Sequence, residues 1–168
     1  MIYSLGRLQN QNYPEAIHAF AQKILECPAA GKLDENHLAS FLFGIAHARY
    51  DAPEVLKLIF EEITKNHRLV RFTCAEVLNV MKSILALKNR NVHVEGMDHV
   101  SRVFAIEMTA LSRIPRYNPS QLTHVLNILG VLRNKNVATV FPILKELAKN
   151  DKLHQLTSID VSRAVFSV

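Results

Sequence analysis

Residues 33–66 and 117–150 share one register: at an offset of 84 residues the same kinds of side chain recur without a gap. Leu33, Leu38, Leu42, Ile45, Arg49, Ile63 and Asn66 fall opposite Tyr117, Leu122, Leu126, Leu129, Arg133, Leu147 and Asn150. Apolar residues three or four apart are the pattern of an amphipathic helix, so each segment reads as two helices joined by a turn. A shorter step runs through the whole chain. Pro14 and Pro53, Leu33 and Phe72, and Tyr117 and Leu156 are each 39 residues apart. One helical hairpin cannot bury its apolar face alone, but stacked copies bury a continuous core. The expected fold is therefore all-α, a right-handed α-solenoid of about four helix-turn-helix repeats. One array is expected over residues 1–168, as a segment of a longer one.

Taken in order, residues 1–12 read as the end of a first helix, with Ile2, Leu5 and Leu8 as its apolar positions. Pro14 suits a first helical turn, and Ala16, Ile17, Phe20, Ala21, Ile24 and Leu25 form the next stripe. The following helix has Asp34 or Asn36 as its cap and Leu38, Phe41, Leu42, Ile45 and Ala48 as its stripe. Its partner starts at Pro53 and buries Val55, Leu56, Ile59, Phe60 and Ile63, with Lys57, Glu61, Glu62 and Lys65 on the wet face. The third unit runs from Phe72, capped by Thr73, through Val77, Val80, Met81, Ile84 and Leu87. Phe72 and Tyr117 are 45 residues apart, and the six extra residues are assigned to a loop at 92–97. From Asp98 a helix with Val100, Val103, Phe104 and Met108 is expected to reach Ile114, where Pro115 stops it. Pro119 opens the fourth unit, and Pro142 predicts a late start or a kink in that unit's second helix. A fifth unit begins at Leu156 and Thr157, with Val161, Ala164 and Val165 continuing the stripe. Neither end reads as a polar cap.

Composition narrows the function classes. Nearly half the residues are hydrophobic, enough for one buried core. No apolar run reaches the roughly 18 residues of a membrane span, so no membrane partner is expected. Cys27 and Cys74 are too few for a disulfide framework and fit a reducing compartment. The eight histidines include no zinc-type pair, and His37, His47 and His124 read as surface groups. Paired carboxylates, a nucleophile with its base, and a glycine-rich phosphate loop are not recognisable in suitable context. No catalytic residue, metal, cofactor or small-molecule substrate is expected.

The net charge of +5 is distributed unevenly, with +3 carried by residues 117–155 and −1 by 33–71. Basic residues recur in the turns. Arg49, Lys88 and Arg133 form one column, and Arg90 and Lys135 a neighbouring one. Phosphate contact is one reading of these cations, and stabilisation of a helix C-terminus is the other. The asparagines of the turns at 88–91 and 133–136 read as turn chemistry, the first at a left-handed position and the second as the next helix cap. On the wet side of the first helices, His37, Glu76, Gln121 and Asp160 form a column, and Ser40, Asn79, His124 and Arg163 the next. Hydrogen-bonding residues that vary on a constant frame are what one-base-per-repeat RNA readers display, and also what any wet helix face displays. Candidate RNA-binding residues are therefore Arg49, Lys88, Arg90, Arg133, Lys135, Asn79, Gln121 and His124. Tyr50 and Tyr117 are the aromatic candidates for base stacking.

The run from Leu38 through Phe41, Leu42, Phe43, Gly44 and Ile45 to Arg49, followed by Ala52, Pro53, Glu54, Val55 and Leu56, resembles organellar helical repeats. The families meant are the FAST-kinase-domain and RAP proteins and the octotricopeptide and heptatricopeptide repeats. The resemblance covers the whole chain. It implies an α-solenoid in a mitochondrion or plastid, with a mitochondrial location expected here. It implies binding of single-stranded RNA, protein subunits of a ribonucleoprotein, or both, in RNA processing, stability, editing or ribosome assembly. The alternative is an armadillo- or HEAT-like protein-interaction scaffold, whose repeats have a similar length.

Overall fold

The computed structural model describes residues 33–48, 52–65, 68–133 and 136–165, together with Ala19 and Lys23. The expectations for residues 1–12, for the stripe beginning at Ala16, for the Cys27 thiol, and for Arg49, Tyr50 and Lys135 lie outside the described residues. Every regular element among the described residues is helical. In chain order these are α1 (Glu35–His47), α2 (Pro53–Thr64), a 3-10 turn (Arg68–Arg71), α3 (Cys74–Asn89) and α4 (Met97–Met108). A second 3-10 turn (Ile114–Arg116) precedes α5 (Pro119–Val131), α6 (Val137–Leu147), the short α7 (Asn150–Leu153) and α8 (Ser158–Val165). The chain divides into two compact units, Met1–Phe104 and Ala105–Val168, the division falling within α4.

Helix starts follow from local chemistry. The Asp34 carboxylate accepts the His37 N–H at 2.8 Å, which satisfies one of the orphan donors of α1. Helices α3 and α5 open with reciprocal capping boxes, Thr73 with Glu76 and Asn118 with Gln121. Helix α2 has no side-chain cap and relies on Pro53 in its first turn.

In the first unit α1 lies along α3, and α2 folds back on α1. Leu38, Leu42, Ile45, Leu56, Ile59, Ile63, Val77, Val80, Met81, Ile84 and Leu87 are all buried. Each such aliphatic side chain contributes about 1.5–3 kcal/mol, which makes this stripe the main source of stability. In the second unit α5 lies along α8 and α6 returns on α5. Leu122, Val125, Leu126, Leu129, Ile143 and Leu147 form the core there.

The 84-residue register extends to polar contacts. Arg68 donates to the Leu33 carbonyl at 2.7 Å, and Lys152, 84 residues on, donates to the Tyr117 carbonyl at 2.8 Å. Lys65 pairs with Glu62, and Lys149 pairs with Glu146. In both units, therefore, the segment following the second helix is tied to the residue that opens the first. Glu62, which periodicity assigns to the wet face, is buried, as is Glu146. Each sits near a helix C-terminus, where a carboxylate is disfavoured, and a lysine three residues on supplies the compensating charge.

Other expectations are corrected. The extra loop covers 92–96, because Met97 already belongs to α4. Helix α4 stops at Met108, six residues before Ile114. The Thr109 hydroxyl donates to the Ala105 and Ile106 carbonyls, and the buried Arg113 turns back to pair with Glu107. Pro115 instead lies within the second 3-10 turn, and Val103 is half-buried. Helix α6 does not start late. Asn136 caps it by accepting the Ala138 N–H at 3.0 Å, and it runs through Pro142. Ala48 is the C-cap of α1 and not part of its buried stripe. Val161 and Val165 are exposed, whereas Asp160 is buried.

Candidate nucleic-acid interface

The first column of polar residues occupies one structural position, the third residue of each first helix. Gln121 Oε1 accepts the Asn118 N–H at 3.0 Å, while Asn118 Oδ1 accepts the Gln121 N–H at 2.8 Å. Glu76 accepts the Thr73 N–H at 2.7 Å, and Asp160 accepts both the Thr157 N–H and its hydroxyl. His37 pairs with its own cap, Asp34, at 2.7 Å. The hydrogen-bond demand of a helix N-terminus accounts for polar side chains in this column. Gln121 is half-exposed, with its carbonyl oxygen engaged in the cap.

The second column lies one turn further along. Ser40, Asn79 and His124 are half-buried on α1, α3 and α5, and the Ser40 hydroxyl donates to Asn36 Oδ1 at 3.4 Å. Arg163 of α8 donates to Asp160 Oδ1 at 3.2 Å. Asn79 belongs to the first unit and His124 to the second. At the end of α1 the His47 ring stacks on Phe43 with centroids 3.8 Å apart, a half-buried aromatic pair that helical spacing could have signalled.

The turn cations divide by environment. Lys88 pairs with Asp98 at 2.9 Å, and that hydrogen bond, reinforced by the lysine charge, holds the Asp98 carboxyl below the usual carboxylate range. Arg90 donates to the Ala46 carbonyl in the last turn of α1 at 3.1 Å, the placement the helix dipole favours for a cation. Both of these residues thus have partners within the first unit. Arg133 differs. Its side chain is exposed and forms no hydrogen bond or ion pair among the described residues, and its backbone is left-handed at φ +53°.

The left-handed positions correct the reading of the turn at 88–91; in the turn at 133–136, Asn136 caps α6 as expected and Asn134 lies outside the described residues. After α3 it is Asn91, not Asn89, that turns left-handed, at φ +56°. The Asn91 N–H bonds the Lys88 carbonyl and the Val92 N–H the Leu87 carbonyl, a Schellman closure. After α5 the same place falls on Arg133, whose N–H bonds the Gly130 carbonyl at 2.9 Å. Tyr117 is buried, so its ring is closed to base stacking.

Among the described residues no three His, Cys, Asp or Glu side chains come together as a metal site. No helix among them is long and apolar enough to cross a membrane. No protein-family model matches the chain, and no curated protein matches it at a significant level.

Proposed function

We propose that this chain is part of a right-handed α-solenoid of about four hairpins that binds single-stranded RNA and scaffolds a ribonucleoprotein. Recurrence of the same contacts at the 84-residue offset supports the repeat array. The observation that carries the RNA reading is Arg133. A non-glycine residue in the left-handed region costs about 1–2 kcal/mol, and asparagine bears that cost better than arginine. Local rules broken without structural compensation concentrate where a residue has a functional task. Here the residue is an exposed cation in the most basic stretch of the sequence. It suits a phosphate. Lys135 and Arg49 would add charge at neighbouring positions of the repeat. Asn79 and His124 would offer hydrogen bonds to bases, with a smaller share from Gln121, whose carbonyl oxygen the cap uses. Lys88 and Arg90 would contribute field more than direct contact. We assign the chain no catalytic step. The organellar resemblance supports a mitochondrial setting in RNA processing, stability, editing or ribosome assembly.

The armadillo- or HEAT-like reading also has an observation in its favour. Exposed apolar residues cluster in the second unit, including Val137, Phe141 and Leu144 on α6. Fluorescence anisotropy with a mixed-sequence single-stranded RNA at several salt concentrations, beside duplex DNA, separates the readings. Binding that prefers RNA, weakens steeply with salt, and falls about tenfold when Arg133 and Lys135 are both changed to alanine is the expected result. Absence of binding at low salt, with the circular dichroism intact, would leave the protein scaffold as the function.

A further inference from the structure

The rings of Phe43 and His47 on α1 stack with centroids 3.8 Å apart and planes 21° from parallel. Four residues apart, they share one face of the helix, and both are half-buried. His47 Nδ1 lies 2.9 Å from the Phe43 carbonyl oxygen. A carbonyl can only accept, so Nδ1 carries the hydrogen and donates it, which leaves Nε2 at the far edge of the ring. Stack and hydrogen bond together hold the imidazole in one orientation at the end of α1. Little rotamer freedom is then left for a ligand to remove.

The repeat frame does not require this pair. Helix α5, at the 84-residue offset, has the same 13 residues as α1 but carries Asn127 and Val131 at the two places. Helix α3 carries Lys82 and Ala86 there, at the 39-residue step. The rings are therefore particular to α1. Positive charge stands beside them, because Arg90 donates to the carbonyl of Ala46, the residue before His47, at 3.1 Å. Ser40 lies one turn before Phe43, and Asn79 holds the matching place on α3, which lies along α1. A fixed aromatic ring, a cation and hydrogen-bonding side chains thus belong to one pair of helices in the first unit. Those are the groups with which proteins hold single-stranded nucleic acid.

We infer that the His47 ring, backed by Phe43, is a stacking platform for one base of a single-stranded RNA, an inference that rests on the RNA-binding function proposed above. The base continues the stack on the imidazole, and the phosphate of its nucleotide lies in the field of Arg90. Every base has a π-face, so the platform tolerates any sequence, with the larger purines favoured through greater overlap. Its contribution differs in kind from that of Arg133. Stacking adds affinity without releasing counterions, whereas a phosphate contact releases them and makes binding salt-dependent.

The test titrates the full chain into an RNA of uridines holding one central 2-aminopurine, at several salt concentrations. Quenching of the aminopurine on binding is the expected result. His47→Ala should weaken affinity about tenfold and remove the quench, while the slope of log affinity against log salt stays unchanged. His47→Phe keeps an aromatic face without the imidazole nitrogens and should retain both affinity and quench. Should His47→Ala disturb the circular dichroism, His47→Leu supplies bulk without a π-system and reads the same way. RNA binding with affinity and quench unchanged in His47→Ala overturns the platform and leaves the RNA-binding function standing. Equal losses in His47→Ala and His47→Phe, with circular dichroism intact, also overturn it, because an aromatic ring would then not be what the RNA uses. Absence of RNA binding by the unchanged protein at low salt overturns the RNA-binding function and the platform together.

Discussion

Arg133 and Asn91 close their helices in the same left-handed conformation, and the difference between them is chemical. Asparagine tolerates positive φ because its short amide can bond locally, whereas the arginine Cβ crowds the following carbonyl with no such return. Arg133→Asn should therefore raise stability by about 0.5–1 kcal/mol in urea denaturation. Its RNA affinity should fall in the same variant. A loss of stability instead would mean that the arginine anchors the turn and that its retention is structural. Tyr117 illustrates the converse error. Placed by the register opposite Leu33, it behaves as the apolar residue its column implies and is buried, not offered as a stacking platform.

Among the elements, α8 shows how one carboxylate can fix a helix to its neighbour. Asp160 accepts the Thr157 hydroxyl at 2.7 Å and the Thr157 N–H at 3.1 Å on its own helix, and the hydroxyl of the buried Thr123 of α5 at 3.3 Å. The Thr157 hydroxyl bond is the largest influence lowering the Asp160 pKa, and burial opposes it. Because the folded pKa lies below the unfolded one, the stabilisation is complete at neutral pH and disappears as pH falls through the folded pKa. Asp160→Asn should cost about 1 kcal/mol at neutral pH. The gap from the unchanged protein should close as pH drops below about 4. A pH-independent difference in melting temperature would show that charge at this cap is irrelevant. Glu76 fills the equivalent place on α3 and closes its cap by the same logic, but the register puts Ala39 where Thr123 stands, and alanine has no hydroxyl to offer.

For the whole molecule, the two units bury their equivalent stripes to different extents. Local opening is easiest where few buried apolar contacts hold an element. Amides in α6 and α8 should therefore exchange with deuterium roughly tenfold faster or more than those in α1 and α3. Equal protection of the two sets would show that the exposed valines and Phe141 do not weaken the second unit. The candidate interface divides along the same line, with Lys88 and Arg90 bonded within the first unit and Arg133 presented by the second.

Helix types, most caps and the core stripes could be read from residue spacing, because the helical period and the orphan N–H groups of a first turn act over only three or four residues. Leu38 through Ile45, Val77 through Leu87 and Leu122 through Leu129 are buried as their spacing requires. Proline positions were an uneven guide: Pro53 and Pro119 stand in first helical turns as expected, and α6 contains Pro142 without starting late, whereas α4 ends well before Pro115. The sequence by itself determined an all-helical chain and the 84-residue register of its contacts. Tertiary structure alone decided that Glu62, Glu146 and Asp160 are buried in bonded pairs, that Lys88 and Arg90 are bonded while Arg133 is exposed, and that Val161 and Val165 are uncovered. The reason is physical: periodicity specifies which face of a helix is apolar, but whether that face or its flanking charge is satisfied depends on the element brought against it.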